Sequence, residues 1–401
     1  MPKILITGNG FDLRLGLPTF YCDFIKILNS LEENEIVDFD SVYSNSSNYK
    51  IIRDNYRKFD FNRMKIKELK SEIQNNLWFQ FFKNEFEIDT WIDFENKIEY
   101  VLKNLFISVK NLQENIFSKG SLPEDRITYT AVLFNNNVEI IQVLNKFNII
   151  TKNESYNVKL NVNYLIKKYD FFIDVDLNKI TKSLIKELKG FKKIFNIYFE
   201  VFVYPLYENR ITKVDKTFFS TITNHYTFNY TPTFDRVYDS TIKTEFLHGK
   251  INSKANEIVL GINEIPKADL DKRYFLPFTK YYQKLNSNTD FKFISNLERE
   301  KDSNFQFFFF GHSLDNSDED YINEVFDFMN KLETEVKKII IIYHDKASKS
   351  KLLINLLNIR GKYEIQRLMR NENLMFFNID SVELKSELTK DISKYPPNYY
   401  I

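Results

Sequence analysis

Lys3-Ile-Leu-Ile-Thr7, followed at once by Gly8-Asn9-Gly10, limits what this chain can become more than any other stretch. An apolar, β-branched run reads as a buried strand, and Gly-x-Gly directly behind it demands a tight turn into the next element. A strand so close to the start has no local partner, so segments far along the sequence must pair with it. Suitable apolar runs lie beyond residue 218, at 223–229, 244–247, 257–262, 305–310, 338–343 and 374–379. Helical patterns at 318–336 and 348–359 separate the later ones. Strands alternating with helices predict one parallel sheet, wound right-handed, with residues 3–7 inside it.

The expected fold class is therefore α/β, a Rossmann-like parallel sheet flanked by helices. Its core comprises residues 1–30 and 216–401, and residues 31–215 form a large, mainly helical insertion. Within the insertion, Ile66, Leu69, Ile73, Leu77 and Phe81 recur at helical spacing, as do Trp91, Ile98, Val101, Leu102, Leu105 and Val109. Ile180 to Phe202 repeats the pattern and stops before Pro205. Residues 115–175 are Asn-rich and poorly periodic, which suits loops and short elements. With 401 residues, 43% of them hydrophobic, the chain can bury a sizeable core. A formal net charge of +1 gives no field that indicates nucleic acid or a membrane surface. The single Cys22 excludes an internal disulfide and a four-cysteine zinc site. No leader pattern and no apolar run of about 18 residues is seen, so a cytoplasmic location without a membrane span is expected. No metal is expected, since no His-x3-His or paired-cysteine pattern occurs.

In an open α/β sheet, ligands sit beyond the carboxyl ends of the strands. The glycine turn, Asn229, His248 and Gly311-His312-Ser313 all fall at predicted strand ends, so they can converge although far apart in sequence. Asn229 at a strand end can hold a reacting ribose or water, or bond backbone at a turn. His248 can accept a proton, or be satisfied by backbone. Asp12 takes ribose hydroxyls, orients a histidine, or caps the helix behind the turn. Ser313 donates to a ligand or caps, and Asp318, Glu319 and Asp320 suit a helix start. Asp93 and Glu95, two apart, lie on different sides of a helix, so only one can face a site. His225 and His344 receive no role. The glycines suit a phosphate approaching turn amides, but Leu13 stands where the dinucleotide fingerprint has its third glycine. A P-loop is absent.

Four segments resemble sirtuins in order and wording. They are Gly8-Asn9-Gly10 with Gly16-Leu17-Pro18, then Thr227-Phe228-Asn229-Tyr230, His248-Gly249, and Gly311-His312-Ser313-Leu314. Gly8-Asn9-Gly10-Phe11-Asp12 with Gly16-Leu17-Pro18-Thr19, Trp91-Ile92-Asp93-Phe94-Glu95 and the segment from Gly311 to Asp318 also resemble the AbiH-type phage abortive-infection family, over residues 3 to about 380. The resemblance implies an antiphage effector that hydrolyses NAD⁺, its substrate, to nicotinamide and ADP-ribose. Asn229 and His248 would be catalytic. Gly8, Asn9, Gly10, Phe11, Asp12, Pro18, Thr227, Gly311, His312 and Ser313 would bind the nucleotide. Sirtuins have Thr where His312 stands, so no role carries over to it. Protein deacylation is disfavoured without the zinc ribbon. Two alternatives stay open: a sensor binding NAD⁺ or ADP-ribose without cleaving it, and an enzyme acting on another nucleotide or nucleic acid. The reading leaves room for a phage-derived trigger and a homo-oligomer, and identifies neither.

Overall fold

In the computed structural model, residues 2–33, 36–83, 91–123, 128–130, 137–152, 157–253, 257–265, 271–286, 293–294, 297, 303–334 and 336–390 are described. Six parallel strands form the main sheet: β1 Lys3–Thr7, β2 Asn224–Thr227, β3 Thr244–Phe246, β4 Phe305–Phe310, β5 Lys337–Tyr343 and β6 Leu374–Asn378. Their order is β6-β5-β4-β1-β2-β3. β1 is central, with Thr7 opposite Phe310 on one side and Thr227 on the other. Three strands thus end at one level, and Gly8, Phe228 and Gly311 leave the sheet side by side.

The helices that frame the site are α1 Asn9–Arg14, α2 Tyr21–Glu33, α3 Arg63–Asn75, α4 Trp91–Asn115, α5 Leu177–Tyr198, α6 Thr233–Val237, α7 Lys280–Asn286, α8 Glu319–Lys331, α9 Lys346–Arg360, α10 Lys362–Arg370 and α11 Val382–Thr389. The strands read as near-continuous apolar runs because both sheet faces are covered. Ile4, Ile6, Phe307, Phe309, Ile339 and Ile341 pack on one face with α8, α9 and α10. Leu5, Phe308, Phe310, Ile340 and Ile342 pack on the other with Phe11, Phe234 and α11.

A third and larger apolar cluster joins α2 through α5 to residues 237–278. The α5 stripe of Ile180, Leu184, Leu188, Phe191, Phe195 and Tyr198 is buried along its length. Two departures from the periodic reading have local causes. The expected helix over 66–81 is broken at Asn76, whose Oδ1 accepts from Phe79 N at 2.9 Å while its Nδ2 donates to Glu187 O at 2.7 Å. A side chain that caps the next helix and makes a tertiary contact outweighs continued periodicity. Between 115 and 175, short strands form two three-stranded antiparallel sheets, and Val138–Lys146 is helical. The run at 257–262 joins no sheet. It is tied instead to its neighbours, with Val259 N on His248 O at 2.8 Å and Leu260 N on Gln283 Oε1 at 3.1 Å.

Candidate functional site

The glycine turn is built against a second turn. Gly8 N donates to Phe310 O at 3.0 Å, and Gly10 N to Gly311 O at 2.8 Å. A Cβ on Gly8 would lie 2.6 Å from His312 Cα, and one on Gly10 2.8 Å from Gly311 Cα. Gly311, at φ +70°, would put its own Cβ 2.3 Å from Phe11 N. The expected reason for these glycines, close phosphate approach to free amides, is therefore replaced by another: two loops dock backbone to backbone. Asn9 closes the loop, its Nδ2 donating to Thr19 O at 3.1 Å and its Oδ1 accepting from Thr19 Oγ1 at 2.6 Å.

Asn229 follows β2 and is nearly buried. Its Nδ2 donates to Gly8 O at 2.9 Å and its backbone N to Thr227 Oγ1 at 3.0 Å, which fixes the amide over the turn. Asp12 is buried beside it on α1. One carboxylate oxygen accepts the Thr231 hydroxyl, Thr233 donates to Thr231 at 3.2 Å, and Tyr207 bonds Thr233 at 2.7 Å. Its other oxygen, Oδ1, has no hydrogen-bond partner. Burial pushes the Asp12 carboxyl up to about 7, against the lowering pull of Thr231, Thr233 and Asn229. Desolvation outweighs these polar neighbours.

His248, at the end of the β3 segment, places Nε2 3.1 Å from Asp318 Oδ1, ion-pair distance, although neither atom makes a hydrogen bond. The opposite carboxylate oxygen of Asp318 is 3.2 Å from His312 Nε2. Leu314 N donates to His312 Nδ1 at 3.0 Å. That bond makes Nδ1 the acceptor, so His312 Nε2 carries the hydrogen and donates to Asp318. Lys280 Nζ stands 2.7 Å from Glu95 Oε2 and 3.7 Å from Asp318 Oδ1. Burial would raise Asp318, but Lys280, His248 and His312 together outweigh it and hold the carboxyl well below the usual range. Burial drives His248 down to about 4, with Lys280 and Lys284 adding to the fall, so the ring is neutral near pH 7. Glu95 is pushed up to about 7 by burial, against the pull of Lys280.

These groups surround one cavity of about 330 Å³. Gly8, Asn9, Gly10, Asp12, Asn229, His248, Gly311, His312 and Ser313 line it. Three other expected contacts lie behind the wall. Phe11 packs edge-on to Phe310 in the core, at 5.3 Å between centroids. Pro18 O accepts from Tyr198 OH at 2.7 Å, and Thr227 Oγ1 accepts from Thr7 at 2.9 Å. His225 is locked between Thr7 and Thr244 at 3.0 and 2.9 Å, while His344 reaches the cavity rim beside Ser348 and Lys351. Among the described residues no cluster of three or more His, Cys, Asp or Glu could hold a metal, and no helix is long and apolar enough to cross a membrane.

The family model described as bacteriophage abortive infection AbiH matches residues 4–343. The chain belongs to the AbiH family. No curated protein and no solved structure matches it. Membership gives the protein a role in phage abortive infection. The segments that carried the AbiH resemblance meet at the cavity: Gly8 to Asp12, Glu95, and Gly311 to Asp318. The side chains of Trp91 and Asp93 lie outside the described residues. Two residues of the cavity wall had no signal of their own. Lys280 is one lysine among many on a short helix, and Asp318 reads locally as a helix start. Only the run from Gly311 to Asp318, taken as a unit, marks Asp318.

Proposed function

We propose that this AbiH protein is an abortive-infection effector that hydrolyses NAD⁺ to nicotinamide and ADP-ribose in the cavity beyond the central strands. The observation that carries this reading is the convergence of Asn229 and His248 with both glycine turns on one cavity. The strand order supports it. Read from β3 to β6 it is 3-2-1-4-5-6, the order of doubly wound dinucleotide-binding sheets, and the cavity lies between the ends of β1 and β4, where the order reverses. The sirtuin-like wording of the four segments adds the nicotinamide–ribose bond as the bond broken.

The chemistry asked of the residues is modest. A water oxygen bonds to the ribose anomeric carbon as the carbon–nitrogen bond breaks. The bonding pair stays on the nicotinamide nitrogen and neutralises its pyridinium charge, and the water proton goes to neutral His248. With Nε2 turned to Asp318, the base is Nδ1, and the imidazolium formed is stabilised by the Asp318 carboxylate. Asn229, held by Gly8 O, keeps the ribose face or the water in place. Since the Gly8 and Gly10 amides already bond protein carbonyls, the pyrophosphate is assigned to the His344, Ser348 and Lys351 rim.

The deciding experiment incubates purified protein with NAD⁺, alone and with lysate of phage-infected cells, and follows nicotinamide. Asn229→Ala and His248→Ala should each lower release by about 10²–10⁴-fold while the protein stays folded. Because the two act on one step, the double variant should be little worse than the worse single. NAD⁺ binding without nicotinamide release under any condition would identify a sensor instead.

A further inference from the structure

The buried charges around Asp318 extend beyond the core that carries the two histidines. Glu95 comes from α4 of the insertion, Lys280 from α7, and Asp318 from the loop behind β4. The side chains of Lys280, Asp318 and Glu95 are only 4%, 10% and 12% exposed. Contacts of 2.7 Å from Glu95 to Lys280, 3.7 Å from Lys280 to Asp318 and 3.1 Å from Asp318 to His248 make one unbroken line from the insertion to His248. A buried ammonium needs compensation, and both partners here are carboxylates from different parts of the chain.

We propose that Glu95 and Lys280 are positioning residues through which the helical insertion completes the site: α4 seats Lys280, and Lys280 holds the carboxylate that orients His248. In the activity arm of the test this rests on His248 being the base. The line has a direction. Lys280 keeps Asp318 ionised, and an ionised Asp318 keeps His248 turned with Nε2 toward it. Burial works against the Lys280 charge, but Glu95 and Asp318 outweigh it and raise its pKa. The other groups facing His248 are Lys284, whose ammonium sits 4.2 Å above the Tyr321 ring, and His312, across the same carboxylate. Phe228 and Tyr321 supply rings at 5.2 and 6.2 Å between centroids. Any event that lifts α4 would separate Glu95 from Lys280 and change the electrostatics at His248 without touching a ligand. The insertion thereby becomes a control element of the site.

The test follows the His248 ring signals by NMR against pH in the full-length protein, with His248→Gln identifying them among the four histidines. Lys280→Met removes a cation that depresses His248, so its titration should rise by at least about one pH unit. Lys280→Arg should restore wild-type behaviour. Glu95→Ala removes the Oε2 contact that seats Lys280, whether or not that carboxyl carries its proton, and releases Lys280 onto Asp318. It should shift His248 toward its neutral form at pH 4–5 and lower kcat for NAD⁺ more than it changes KM. A folded Lys280→Met protein whose His248 titrates as in the wild type overturns the proposal. If Lys280→Met does not fold, an unchanged His248 titration in Glu95→Ala overturns it equally. A wild-type protein that releases no nicotinamide would sink the hydrolase reading alone, because the ring titration needs no activity.

Discussion

Asp12 shows how burial and chemistry compete at one residue. Its carboxyl is raised from about 3.8 to about 7 because desolvation exceeds what Thr231, Thr233 and Asn229 return. The folded protein therefore binds a proton more tightly than the unfolded chain between those values. The Asp12 contribution to stability should fall as pH rises from about 4 to about 7 and stay low above that. A shift of about three units corresponds to a ceiling of about 4 kcal/mol. Glu95 slopes the same way over a similar window. The buried His225 and His248, pushed down to about 3 and about 4, slope the other way, so the wild-type curve alone does not isolate Asp12. Asp12→Asn should gain on the wild type by on the order of 2–4 kcal/mol between pH 5 and pH 8 in urea unfolding. Parallel curves would mean that Asp12 stays ionised. At this scale the sequence was legible where a residue sat at a strand end. Asn229 and His248 could be picked out because strand termini are where open sheets bind. Glu95 was one of two carboxylates of which one could face a site, but Lys280 could not be picked out, since its meaning comes from a contact with a segment 185 residues away in the numbering, which no local pattern encodes.

At the scale of elements, the two glycine turns act as one device. If Gly8 served only a phosphate, Gly8→Val would lose nucleotide and keep its fold. The structure predicts loss of both, because the new Cβ meets backbone of the β4 turn, which has no rotamer to yield. Gly8→Ala should cost about 1–3 kcal/mol by overpacking. Gly311→Ala should cost more, since a left-handed residue adds about 1 kcal/mol to a closer clash. Denaturant midpoints of the two variants measure this, and a neutral Gly311→Ala would show that the loops can part without loss. Asn76→Ala tests another junction. The cap of the helix after α3 should cost about 1 kcal/mol, with more from the unsatisfied Glu187 carbonyl. Elements with a single strong period, such as α5 and β4, are legible in the sequence. The break at Asn76 and the run at 257–262, which stays outside the main sheet, are not, because tertiary hydrogen bonds decide them against pattern and propensity.

Across the whole molecule, the first strand and the last helix are held together by one buried lysine. Lys3 opens β1 and is 2% exposed. Its ammonium donates to Glu387 O at 3.0 Å, Leu388 O at 2.7 Å and Lys390 O at 2.6 Å, the carbonyls that α11 leaves open at its C-terminal end. A cation at this end also meets the negative pole of the helix. The placement of β1 was readable because an isolated strand must find partners, yet nothing in Lys3 itself announces that it reaches 385 residues along the chain. Lys3→Met keeps the aliphatic length and removes the charge, taking the lysine donor from the Glu387 and Lys390 carbonyls while Leu388 O keeps the Thr221 hydroxyl. The expected loss is on the order of 2–4 kcal/mol, since hydrogen bonds to a charged donor contribute about 1.5–3 kcal/mol and act here as a group. Hydrogen exchange separates this from a general loosening. Amides of α11 and of β1 should exchange faster in Lys3→Met, whereas those of α4 and α5 in the insertion should keep their protection relative to global stability. Uniform acceleration, with α11 no different from α5, would mean that Lys3 contributes to bulk stability without fastening the two ends of the chain.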